Sequence, residues 1–142
     1  MRGPLFNDLR IDTEKVYNIS DILNDLCDTH NNLCVDKIIY MAKRLNRYNE
    51  SAPYIPNDIR TIKVVDNLIS FTSNKPMVEL AILIARLYPG TCITYKCSGN
   101  IVYVIHCDLY YDAIEDNSNI APQYTLTVYD MYNDFVAYTI ED

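Results

Sequence analysis

The sequence predicts an α+β fold in a single domain, with an N-terminal helical hairpin packed on an antiparallel sheet. Three observations predict it. Apolar residues recur at helical spacing between Ser20 and Tyr48, strand-forming runs separated by turn signals follow from residue 58 onward, and one strongly apolar helix interrupts them at about residues 75–88. At 142 residues the chain can bury roughly two-thirds of its unfolded surface in one core without staples.

The stretch from Leu68 to His106 organises the rest. Leu68 to Thr72 is rich in strand formers, Ser73 or Asn74 is placed to cap a helix, and Pro76 sits in its first turn, where a missing N–H costs nothing. From Met77 to Leu87 only Glu79 and Arg86 are charged, seven residues apart on one stripe, so nearly all of the remaining circumference is apolar. Such a helix must be covered almost all round. It falls short of the ~20 apolar residues a bilayer span needs, which makes it a core helix. Pro89-Gly90 ends it. Cys92 to Cys97 and Ile101 to His106 then flank Ser98-Gly99-Asn100, a hairpin loop whose glycine supplies positive φ, and the result is a β-α-β-β unit.

Earlier elements follow from the same signals. Leu5-Phe6 and Leu9-Arg10-Ile11 read equally as an arm or a short edge strand. Ser20 is the expected cap of a first helix carrying Ile22, Leu23, Leu26 and Cys27 inward, and His30-Asn31-Asn32 is its break. A second helix is expected from about Leu33 to Tyr48. Residues 49–57 are the loop to the β-rich part, where Arg60 to Val65 and Leu68 to Thr72 form a hairpin around Asp66-Asn67. After a polar loop at 112–122, Tyr124 to Asp130 and Phe135 to Ile140 alternate as a last hairpin, with Tyr132-Asn133-Asp134 as its turn. Phe135 to Ile140 carries no Lys or Pro to deter pairing, so it is expected near the exposed edge, open to a second copy or a partner strand.

Composition narrows the function. Five cysteines, no apolar run of a signal peptide at the start and no stretch of transmembrane length predict reduced thiols in a cytosol-like compartment, away from membranes. The net charge of −7 is unevenly spread: residues 1–107 hold 12 Lys and Arg against 11 Asp and Glu, whereas residues 108–142 hold 8 acids and no base. That balance argues against nucleic acid as a partner.

One resemblance rests on Phe71-Thr72-Ser73-Asn74-Lys75-Pro76, the apolar helix closing on Leu87-Tyr88-Pro89, and Thr94-Tyr95. About residues 68–105 resemble the YubB-like ferredoxin-fold domain of plasmid and phage proteins. The resemblance implies a ferredoxin-like β-α-β-β unit and a viral or mobile-element origin, and brings no established chemistry.

Candidate sites are few. Cys27, His30 and Cys34 have spacing that could gather three soft metal ligands, but no C-x-x-C pair completes a zinc set, and buried structural thiols are the simpler expectation. A three-residue loop at 98–100 pairs residue 92 with 106, setting the Cys92 thiol beside the His106 imidazole, the arrangement a nucleophilic cysteine needs, whereas a two-residue loop pairs 92 with 107 and removes the dyad. Lys43, Arg44 and Arg47, with Lys37, Tyr40 and Tyr48, form a basic-aromatic helix face that could meet phosphates, or be simply solvated. The most unusual surface is C-terminal: Tyr129, Asp130, Tyr132, Asp134 and Tyr138 combine aromatic area with unpaired acids, as interfaces do. No Gly-rich phosphate loop, H-E-x-x-H or Ser/His/Asp set is present, and no cofactor is called for. The expectation is a non-enzymatic accessory protein that binds a host or viral protein partner through the acidic, Tyr-rich C-terminal surface.

Overall fold

The computed structural model describes residues 4–13, 17–45, 47–48, 54–98, 101–110, 123–130 and 135–141; for residues 101, 102, 106–110, 123–130 and 135–141 it describes the backbone alone. The elements run β1 (Leu5–Thr13), α1 (Ile19–Leu26), α2 (Val35–Arg44), β2 (Arg60–Val65), β3 (Leu68–Ser73), α3 (Val78–Leu87), β4 (Thr91–Cys97), β5 (Ile101–Tyr110), β6 (Gln123–Asp130) and β7 (Phe135–Glu141). The class is α+β, with three helices and one antiparallel sheet among the described residues.

The seven strands lie in the order β2-β3-β1-β4-β5-β6-β7, and each neighbouring pair is antiparallel. This corrects the expectation for the N-terminus. Leu5–Thr13 is neither an arm nor an edge but an interior strand, hydrogen-bonded to β3 on one side and β4 on the other. Its alternation is strict: Asn7, Leu9 and Ile11 are buried, while Phe6, Asp8, Arg10 and Asp12 are exposed. A strand therefore precedes the two N-terminal helices. Because β1 separates β3 from β4, those two strands run parallel, linked by α3 in a split β-α-β crossover.

The core lies between the sheet and the helices. Leu9, Ile11, Ile69, Phe71, Ile93, Tyr95 and Ile105 form the inner face, and α3 packs on β4, β5 and β6 with α2 beside it. Seven of its ten residues are buried, as an apolar circumference requires, and each fully buried Leu or Ile contributes about 2 kcal/mol through lost apolar hydration. Ile22, Leu26, Val35, Ile38 and Ala42 bring α1 and α2 into the same cluster.

Helix ends differ from expectation for stated reasons. The α1 cap is Asn18, whose Oδ1 accepts from the Ser20 N–H at 2.8 Å; Ser20 itself is already helical. The hairpin at Asp66-Asn67 is present, with Asp66 at φ 53°. Gly90, at φ 91°, closes α3 after Pro89. Neither Ser73 nor Asn74 caps α3. The Ser73 hydroxyl donates to the Lys75 carbonyl at 2.6 Å and Asn74 donates to Asp58 at 2.6 Å, leaving Met77 as the cap residue with no capping side chain of its own. What holds that end instead is the Tyr95 hydroxyl of β4, which accepts from the buried Met77 N–H at 2.7 Å and donates to Asn7 Oδ1. Asn7 Nδ2 in turn donates to Ser73 Oγ at 2.9 Å and to the Phe71 carbonyl at 3.3 Å.

Candidate functional site

The helices cover one face of the sheet. On the other face β1, β3 and β4 present Asp8, Arg10, Leu68, Thr94 and Lys96 around an open depression of about 150 Å³. The Ser70 hydroxyl donates to Asp8 Oδ1 at 2.6 Å, and Asn67 Nδ2 donates to Asp12 Oδ1 at 3.1 Å, so both carboxylates of β1 are held by neutral donors. Arg10 and Lys96 are exposed, as are Arg60 and Lys63 of β2. Phe6 is 62 % exposed and Val65 51 % exposed on the same strand positions. No sequence motif singled out this face. Its signal was the alternation of β1, which is legible only once that strand is known to be interior.

Cys92 and His106 stand directly opposite each other in the β4–β5 register, as the three-residue loop requires, with Cys97 opposite Ile101. Cys92 is half-buried on the uncovered side, its neighbours Ile93 and Thr91 being buried toward the helices. The register therefore supplies the juxtaposition.

The Cys27, His30 and Cys34 set is not assembled: among the described residues no three His, Cys, Asp or Glu side chains come together to hold a metal ion. The reason is local. Cys27 and Leu33 form an isolated antiparallel bridge, and the turn between them is built by Asp28, whose Oδ1 accepts from the N–H groups of His30 at 2.8 Å and Asn32 at 3.0 Å. These bonds, the Asn32 one foremost, hold the Asp28 carboxyl below its ordinary range. His30 is left exposed while Cys27 is buried, and burial, followed by the charge of Asp28, pushes the Cys27 thiol up, away from the thiolate a metal or a nucleophile needs.

The basic face of α2 has structural tasks. Lys37 Nζ donates to the carbonyls of Asn24 at 2.6 Å and Cys27 at 2.8 Å, closing the C-terminal end of α1. Arg47 Nη1 donates to the Leu87 carbonyl at 2.7 Å, doing the same for α3. Lys43 Nζ lies 5.2 Å from the centre of the Tyr48 ring. Arg44 is exposed. Lys37 and Arg47 thus meet helix ends, where cations are favoured.

Of the C-terminal candidates, Tyr132 and Asp134 lie outside the described residues, and Tyr129, Asp130 and Tyr138 are placed by register alone. Tyr129 is opposite Val104, Asp130 opposite Tyr103, and Tyr138 opposite Val128. β7 is the outermost strand, paired with β6 only. Between Val128 and Tyr129 the register shifts, leaving Ala137 without a counterpart on β6, and β2 at the other edge shifts likewise at Ile62. Such extra residues twist an edge away from continued pairing.

No helix among the described residues is long and apolar enough to cross a membrane. No protein-family model, curated protein or solved structure matches the chain.

Proposed function

We propose that this chain is a small non-enzymatic accessory protein that binds a protein partner through its C-terminal hairpin, with Tyr129, Asp130, Tyr132, Asp134 and Tyr138 at the contact. The observation that carries this reading is the position of β6–β7: residues 108–142 hold eight acids and no base, and the last strand of that segment pairs on one side only among the described residues. Acids steer a basic partner and tyrosines anchor it at low entropic cost. Tyr129 and Tyr138 occupy opposite alternations of the sheet, so the contact runs over the edge strand and its turn rather than along one row. The split β3-α3-β4 crossover around β1 supports reading the β3-α3-β4-β5 run as ferredoxin-like. With that reading comes a viral or mobile-element origin, and with it a host or viral partner; the free thiols go with a cytoplasmic location.

The experiment is affinity capture from host lysate with the wild type and with D130N/D134N/E141Q/D142N, thermal melting confirming that both are folded. The proposal expects proteins retained by the wild type to be lost from the variant. An unchanged set rejects the hairpin as the contact.

The Cys92–His106 register favours one second reading, a thiol-reactive site in which His106 draws the proton from Cys92. Alkylation measured against pH separates it from the first.

A further inference from the structure

The uncovered face of β2, β3, β1 and β4 differs in charge from the chain as a whole. Four exposed bases stand on it, Arg60 and Lys63 on β2, Arg10 on β1 and Lys96 on β4, against two acids, Asp8 and Asp12. The chain itself carries a net charge of −7, so the fold gathers here a positive balance that composition averages away. Register orders these side chains in rows. Arg60 and Phe6 share one row, Lys63, Asp8 and Lys96 the next, and Leu68, Arg10 and Thr94 the third. The exposed ring of Phe6 thus lies two residues, about 7 Å, along β1 from Asp8.

Asp8 decides what such a face can hold. It stands directly opposite Lys96 and offsets part of its charge, which is wrong for a site serving a bare anion. The Ser70 hydroxyl donates to Asp8 Oδ1 at 2.6 Å, and a carboxylate, with about four acceptor positions, keeps capacity for a donor on a ligand. The depression that Asp8 lines with Leu68, Arg10, Thr94 and Lys96 measures about 150 Å³, the ~150 Å³ of a cavity that takes one benzene ring. One planar base fits it: Leu68 meets the ring, Asp8 accepts from an exocyclic amine, and Arg10 and Lys96 meet the phosphate of that nucleotide. Phe6, one row away, is a stacking platform for the neighbouring base. Arg60 and Lys63 carry the cations on across three strand spacings, about 14 Å, farther than a single phosphate reaches.

We propose that the β2-β3-β1-β4 face binds single-stranded nucleic acid, with one base stacked on Phe6, its neighbour seated in the depression against Asp8, and Lys63, Arg10 and Lys96 on the phosphates. The splayed bases of a single strand reach such a face, whereas a duplex keeps its base-pairing edges hidden. The Asp8 carboxylate selects bases that offer an amine there, cytosine over thymine, whose O4 it repels. The proposal does not rest on the hairpin reading above, since residues 123–141 take no part in it.

The test is fluorescence anisotropy of labelled ten-nucleotide oligodeoxycytidine and oligodeoxythymidine, titrated with the full chain. The wild type is expected to bind with Kd in the ~1–100 µM range at low salt and to lose about tenfold in affinity between about 50 and about 200 mM NaCl, as two or three phosphate contacts dictate. Oligodeoxycytidine should bind about fivefold or more tighter than oligodeoxythymidine, and a hairpin duplex more weakly than either. Phe6→Ala should cost about fivefold or more and Phe6→Tyr little. R10E/K96E should cost about tenfold or more and flatten the salt dependence. Asp8→Asn discriminates most sharply: it should erase the cytosine preference without weakening thymidine binding, because it removes a negative charge, whereas a folding defect would weaken both. Thermal melts confirm that each variant is folded. No binding at hundreds of micromolar protein overturns the proposal. So does binding that the duplex shares equally, binding unmoved by Phe6→Ala and R10E/K96E, or a cytosine preference that survives Asp8→Asn. Displacement by polyglutamate as effective as by oligodeoxycytidine also overturns it, and would make the face a site for acidic peptides. D130N/D134N/E141Q/D142N should bind the oligonucleotides undiminished whatever its effect on partner capture, so the two readings fail separately.

Discussion

Tyr95→Phe removes one oxygen atom from a fully buried ring and should cost far more than its size suggests. The hydroxyl serves two buried groups: it accepts from the Met77 N–H at 2.7 Å and donates to Asn7 Oδ1. Met77 is 2 % exposed and Asn7 is 2 % exposed, so water cannot replace the lost partner. Each orphaned group costs about 1–3 kcal/mol, offset in part because the hydroxyl itself no longer needs burying, for a net loss of about 2–4 kcal/mol. With an m-value of about 2 kcal/mol/M, the urea midpoint should fall by roughly 1–2 M. The local consequence is separable from the global one, because the Met77 amide opens the first turn of α3 and should exchange with deuterium faster than amides in the middle of that helix. Tyr40→Phe, on a 64 % exposed ring, is the control and should stay within about 0.5 kcal/mol. A double-mutant cycle with Asn7→Ala should show a coupling of about 1 kcal/mol or more. A loss below about 0.5 kcal/mol for Tyr95→Phe, with Met77 exchange unchanged, would refute the claim that this hydroxyl holds the helix start.

Glu79→Gln should stabilise the protein at pH 7 and bring no advantage near pH 3. Burial raises the Glu79 carboxyl above its ordinary value despite the attraction of Arg86, so the folded state keeps a proton that the unfolded chain has lost, and stability falls as pH rises through that window; equal pH dependence of wild type and variant in denaturant melts would count against it. In iodoacetamide labelling, the thiol-reactive reading expects Cys92 to react well below the free-cysteine value of ~8.5, while buried Cys27 and Cys97 stay slow. Uniformly sluggish labelling of the native protein removes that reading.

What the sequence determined by itself was whatever depends on neighbours along the chain. The hairpin at Asp66-Asn67, the apolar circumference of α3 and its stop at Pro89-Gly90 were legible, and so was the opposition of Cys92 and His106 that follows from a three-residue loop. Each is set by backbone sterics and side-chain periodicity within a dozen residues or so. Tertiary structure decided the rest, because the competing placements were equal locally and differed only in distant partners. Leu5–Thr13 alternates as well for an edge as for an interior strand, and only β3 and β4, more than fifty residues away, place it between them. Ser73 and Asn74 were good local caps for α3. A hydroxyl from β4 reached the helix start first, and Asn7 and Asp58 engaged the two local candidates. Lys37 and Arg47 looked like a free basic face on one helix because the carbonyls they close belong to two others. The depression on the uncovered face is the clearest case: Asp8, Leu68 and Lys96 are far apart in sequence and line one depression only when β1 enters the sheet, since lateral pairing joins side chains that the chain order keeps apart.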